Sequence, residues 1–227
     1  MRAPLNVSSL VLVAANLLPI AGVVWWGWDA FVLLMLYWLE TAIIGFWTIV
    51  RLVATPTSVD VNGKPLDEMN LVGRMALGAF VTVHAGIFMA VHFVFLWVLF
   101  SGAWSERIDG VGDFVREMIV GTDLWLPLAF LFVVRGVLVM GPALRRHLGI
   151  VAGAPPAPPD DENPIIGLYI RIVVMQFTII LGAWFAILAG DSVGPLILLI
   201  ALKTAVDLFS DRIAHHVAAK RAEAGGS

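Results

Sequence analysis

Lys203, Asp207, Asp211 and His215 stand four residues apart in ALKTAVDLFSDRIAHH, the stretch 201–216. Residues four apart share a helix face, so the four form one polar stripe. An ammonium, two carboxylates and an imidazole are the groups that pair charges, carry protons or hold a cation. Asp211 and His215 have the i, i+4 spacing that lets two side chains reach one ion. The segment just before them, 193–202, is almost wholly apolar. A helix that enters a bilayer there and then turns polar must aim that side at protein, water or an ion.

More such groups lie within other apolar runs. Glu40, His84, His92, Arg135, Arg171 and Gln176 each interrupt a hydrophobic stretch. At about 1.5 Å rise per residue, Glu40, His84, Arg135, Gln176 and Lys203 fall roughly 12–17 Å above one end of their helices. Arg171 and Asp207 fall roughly 9 Å above it. A charge at mid-bilayer costs about 2.5–3.5 kcal/mol, so such groups need partners or trapped water. Glu40 is expected to pair with Lys203 or Arg135, and Asp207 with Arg171 or Lys203. Glu40, His84 and Asp207 also offer ligands for a divalent metal from three helices, with Asp211 and His215 as two more. Arg135 and Lys203 in the same layer oppose a cation. His84 and His92 are eight residues apart, roughly 12 Å along the axis, and cannot share an ion.

The elements that hold these groups follow from composition. The 227 residues are 60% hydrophobic and 14% charged, with mean hydropathy +0.92. Soluble domains run at about 45–50% apolar and about 25% charged. The fold class expected is all-α, a polytopic helical membrane bundle with six transmembrane helices and one interfacial amphipathic helix. Spans are expected at 7–25, 30–50, 75–100, 124–143 and 165–188, with the sixth entering through 193–202. Pro19 should kink the first. Between spans, SVDVNGKPL carries an Asn62-Gly63 hairpin signal. Ile108, Val111, Val115, Met118 and Ile119 recur at helical spacing among charges, which predicts a helix lying in the interface. GAPPAPPDDENP is an extended linker. Residues 1–220 read as one transmembrane domain and 221–227 as a tail.

Charge and composition bound the partners. The net charge of −3 argues against nucleic acid. With no cysteine, disulfides and iron–sulfur ligation are excluded. Nine tryptophans, several at helix ends, suit the headgroup level of a bilayer. Arg2, Arg51, Lys64, Arg74, Arg145, Arg146, Arg212, Lys220 and Arg221 fall on one side; Arg107 and Arg116 fall on the other. That asymmetry places both termini in the cytoplasm.

LYWLE (Leu36 to Glu40), RIVVMQFTIILG (Arg171 to Gly182) and LKTAVDL (Leu202 to Leu208) resemble a family of uncharacterised prokaryotic integral membrane proteins, classed only as a domain of unknown function. The likeness runs from the NLLPIAGVVWWGWD segment to His215. It implies a multi-pass bundle with polar intramembrane positions, in a prokaryotic plasma (inner) membrane. Glu40, His84, His92, Arg171, Lys203, Asp207 and His215 look like matches to the family's polar positions. Arg135, Gln176 and Asp211 stand where the resemblance implies histidines, which weighs against a histidine-rich metal centre here.

The expected function is a buried intramembrane polar site that binds or translocates a small polar ligand or a proton. Two alternatives stand beside it. One is an intramembrane enzyme, with or without metal, acting on a lipid or other apolar substrate. The other is a non-catalytic subunit of a membrane complex, alone or as a homo-oligomer. No GxSxG, HExxH or phosphate-cradling glycine loop is present.

Overall fold

The computed structural model describes residues 26–54, 60–61, 64–65, 68–147 and 164–189. Five helical elements carry the fold: α1 (Ala30–Ala54), α2 (Leu71–Phe100), α3 (Val111–Val120), α4 (Trp125–His147) and α5 (Pro164–Ala189). A 3₁₀ turn, Gly102–Glu106, links α2 to α3. Two-residue strands β1 (Asp60–Val61) and β2 (Lys64–Pro65) pair antiparallel between α1 and α2. Their register sets Asp60 opposite Pro65 and Val61 opposite Lys64, and the expected Asn62-Gly63 turn between them lies outside the described residues.

Helix α1 is central. It packs against α2, α4 and α5, and α2 also packs against α5. Every side chain from Phe31 to Tyr37 is buried. Over those two turns α1 has no solvent-facing or polar side, the mark of a helix enclosed all round. Asp29 starts it: Oδ1 accepts the Val32 backbone N–H at 2.9 Å, the N-cap bond. Oδ2 of the same carboxylate accepts Trp104 Nε1 at 2.7 Å. Trp28 Nε1 donates to the Thr122 carbonyl oxygen at 2.8 Å. The α2–α3 link and the turn before α4 are thus both fastened to the entrance of α1.

Helix α2 buries a narrow stripe, Gly78, Val81, Ala85, His92 and Leu96, at three, four, seven and four residue steps. Helix α5 buries Leu168, Ile172, Met175 and Ile179 at i, i+4, i+7 and i+11. Both patterns are single narrow seams, and many large apolar side chains outside them are exposed. Close backbone approach helps where glycine permits it. A Cβ on Gly136 of α4 would lie 2.6 Å from Trp47 Cζ2 of α1, so the indole lies flush on the helix backbone.

Helices α1, α2 and α5, the last over Pro164–Trp184, are long and apolar enough to cross a membrane. Helix α3 with Trp125–Gly141 meets that test only as a pair bent by 90°, giving up to four spans among the described residues. The expected first and sixth spans lie outside the described residues, as does the tail. A helix, Val111–Val120, stands where the interfacial one is expected, with one difference. Phe114–Val120 is wound as a π-helix. Gly121 N–H reaches back five residues to the Arg116 carbonyl at 2.9 Å. The five-residue apolar stripe expected from ordinary helical spacing is buried only in part. Ile108 and Met118 are buried, whereas Val111 and Val115 are exposed.

Candidate functional site

The site begins with the register of α1 against α2. Trp38 Nε1 donates to the Met89 carbonyl oxygen at 2.8 Å, and its ring packs on Phe93 at 5.2 Å. Farther toward the α2 C-terminus, Phe31 meets Trp97 edge-on. The two contacts make α1 and α2 antiparallel and fix which residues are level. Glu40 and Tyr37, three apart, then share a face of α1.

Helix α5 brings Arg171 to that face. Its Nη2 lies 3.7 Å from Glu40 Oε2, and its guanidinium carbon lies 5.3 Å from the centre of the Tyr37 ring. Leu168, one turn earlier, packs beside Gly45 of α1. That contact and the ion pair set α5 antiparallel to α1. The side chains of Arg171 and Glu40 are 22% and 12% exposed. At such burial the pair holds because each charge would otherwise be stranded. The separation exceeds a hydrogen-bond length, so the charges attract without a direct donor–acceptor contact. Arg171 Nε is buried and has no acceptor among the described residues. The guanidinium is therefore anchored by charge and by a ring face, with donor capacity to spare.

The expected partners of Glu40 are Lys203, which lies outside the described residues, and Arg135; the described contact is with Arg171. Depth counted along single helices puts Arg171 about a turn away from Glu40. A long arginine chain covers that offset, and the helix register places the two opposite each other.

The other expected site residues fall as follows. His84 is exposed on α2, outside the Glu40–Arg171 contact. Its Nδ1 shares a hydrogen bond with the Tyr169 hydroxyl, and its ring lies between Phe80 and Phe88. Arg135 is half-buried on α4, next to the Gly136–Trp47 contact. Gln176 is half-buried on α5. Lys203, Asp207, Asp211 and His215 lie outside the described residues. Among the described residues, no three of His, Asp and Glu come together in a way that could hold a metal ion.

Two residues gain weight beyond what sequence reasoning gives them. Tyr37 lies within the LYWLE motif three residues before Glu40, a spacing that places its ring beside the same partner. His92 is buried in the α2 seam with Nδ1 bonded to the Phe88 carbonyl oxygen. Its Nε2 has no partner among the described residues.

The chain belongs to a family of unknown function, DUF6498, whose model matches residues 1–224. No curated protein and no solved structure is similar enough to match it.

Proposed function

We propose that the chain is a multi-pass membrane protein whose helices enclose a polar site, centred on Glu40 and Arg171, that binds or translocates a small polar ligand or a proton. The observation that carries this reading is the Glu40–Arg171 pair, 3.7 Å apart between helices that are otherwise apolar. A pair kept only for packing gains most from short, bidentate contact. This one stands apart, with Arg171 Nε unspent. Arg135, Gln176, Lys203 and Asp207 complete the polar layer in this reading. The membrane is the prokaryotic inner membrane, with both chain termini on the cytoplasmic side.

Reconstitution into liposomes tests it. The parent protein should move protons or a small polar solute across the bilayer, and Glu40→Gln should slow that movement about tenfold or more. Vesicles as tight with the protein as without it, or a Glu40→Gln variant equal to the parent, would remove the proposal.

A further inference from the structure

Tryptophans crowd the end of the bundle where α1 begins and α2 closes. Trp26 and Trp28 precede α1, Trp97 and Trp104 lie at and just beyond the end of α2, and Trp125 opens α4. Trp26 is 46% exposed and stacks on Trp28 at 5.7 Å. Indole rings favour the headgroup level of a bilayer, so in a membrane this end sits at that level. Two groups of opposite charge stand among the rings. Asp29 is exposed, and each of its oxygens already accepts one bond, Oδ1 from Val32 N–H and Oδ2 from Trp104 Nε1. Each oxygen keeps a further lone pair. Arg107 is exposed, and its guanidinium carbon lies 3.9 Å over the Trp104 ring. Its side-chain N–H groups have no acceptor among the described residues.

The indole of Trp104 sets the spacing of the two charges. Its N–H reaches Asp29 Oδ2 at 2.7 Å, and a bond that short runs close to the ring plane. The guanidinium lies off that plane, over the ring face. The right angle between the two directions puts the guanidinium carbon roughly 6 Å from Oδ2. That is too far for a salt bridge and close enough for one small dipole to touch both. The frame is held in place from several sides. Asp29 caps α1, Trp28 Nε1 is bonded to the Thr122 carbonyl oxygen, and Arg107 N–H donates to the Trp104 carbonyl oxygen at 3.1 Å. Ile108, the next residue, is buried. Groups already in position lose little freedom when a ligand arrives.

We propose that Arg107 and Asp29 bind the headgroup of a zwitterionic aminophospholipid, an inference that rests on the membrane-spanning reading above and not on the Glu40–Arg171 pair. The phosphate accepts from the Arg107 fork, and the primary ammonium donates to the remaining lone pairs of Asp29. Phosphorus and nitrogen in an ethanolamine phosphate stand about 4–5 Å apart across staggered bonds. The headgroup therefore lies alongside the Arg107–Asp29 pair with its own dipole reversed. The last turns of α2 expose Val94, Val98 and Leu99, so apolar surface for acyl chains lies just below that level. The neighbours set the choice of headgroup. Glu106 and Asp109 flank Arg107 and are exposed, so a headgroup of net negative charge is repelled. A trimethylammonium group has no N–H to give Asp29. Ethanolamine is thus favoured over both glycerol and choline.

The test uses the full chain in detergent micelles, labelled with ¹⁵N at tryptophan and titrated with short-chain phospholipids that differ only in headgroup. Phosphatidylethanolamine should shift the Trp104 indole N–H resonance saturably. Phosphatidylcholine and phosphatidylglycerol should do so about tenfold more weakly. Arg107→Gln, at an exposed position, should fold as the parent does and lose the preference. Arg107→Lys, which keeps the charge, should retain part of it. Free O-phosphoethanolamine should act about tenfold more weakly than the lipid. An equal response to it would assign the site to a soluble zwitterion and overturn the lipid assignment. Equal shifts with all three headgroups, or an Arg107→Gln variant that discriminates as the parent does, would overturn the inference. Lipid-induced shifts at Trp26 and Trp125 in that case would leave the membrane-spanning reading standing. Silence at every tryptophan would remove that reading as well.

Discussion

Tyr169 and Arg171, two residues apart on α5, serve different neighbours. The phenol meets His84 of α2, and the guanidinium meets Glu40 of α1. Two helical residues are separated by about 200° around the axis. One short segment of α5 therefore directs polar groups toward both of its partner helices, and the two contacts are separate. Tyr169→Phe should change the His84 ring resonances and leave those of Arg171 in place. A matching change at Arg171 in that variant would show that the contacts act as one network.

Removing one member of the ion pair should cost more than removing both. Glu40→Gln leaves Arg171 without its counter-charge and should lower stability by about 1–3 kcal/mol. Glu40→Leu with Arg171→Leu should recover most of that, because two apolar side chains leave no charge to satisfy. Unfolding in mixed micelles, followed by tryptophan fluorescence, measures the difference. Equal losses in the single and double variants would contradict it.

The Gly136–Trp47 contact makes a steric forecast. Adding a methyl group at Gly136 would place it 2.6 Å from Trp47 Cζ2. Gly136→Ala should destabilise by about 1–3 kcal/mol, the usual cost of overpacking. Pairing it with Trp47→Phe, which withdraws the second ring, should restore part of the loss. Thermal unfolding of the three variants decides the point.

Asp29 holds both the first turn of α1 and Trp104. Asp29→Ala should cost about 1 kcal/mol from the cap alone. Asp29→Asn keeps an oxygen for the Val32 N–H and should retain most of the cap. Hydrogen exchange at residues 31–33 should quicken in the alanine variant and much less in the asparagine variant.

Gly121 closes the π-turn. A Cβ there would come 2.7 Å from the Glu117 carbonyl oxygen. Gly121→Ala should open the turn and quicken hydrogen exchange across residues 114–120. Unchanged exchange would show that the turn rearranges without cost.

Helix positions are legible in the sequence because long apolar runs leave few other choices. The helix expected over 30–50 runs four residues further, to Ala54, and the one expected over 75–100 begins four residues earlier, at Leu71. The early start has a local cause: Asn70 Oδ1 accepts the Gly73 N–H at 2.8 Å, a cap that hydropathy does not register. The pairing of β1 with β2 is legible for the opposite reason, since its signal, Asn62-Gly63, is entirely local. Partner choice is less legible. Glu40 stands out as a site residue, but its pairing with Arg171 depends on how α1 and α5 slide past one another. His84 shows the same limit. Counting along α2 gives its height but not its bearing, and the bearing sends it to Tyr169. The π-winding after Asp113 changes the bearing of Val115 and the residues after it, which a stripe read at ordinary helical pitch does not anticipate.

The enclosure of Phe31 to Tyr37 bears on how the chain is made. Those seven side chains belong to one cluster with Met175 and Ile179, which leave the ribosome about 140 residues later. Until α5 arrives, the middle helix has an open flank and Glu40 lacks Arg171. Synthesis halted ahead of Pro164 would thus release an acidic, half-covered intermediate, a natural substrate for membrane quality control.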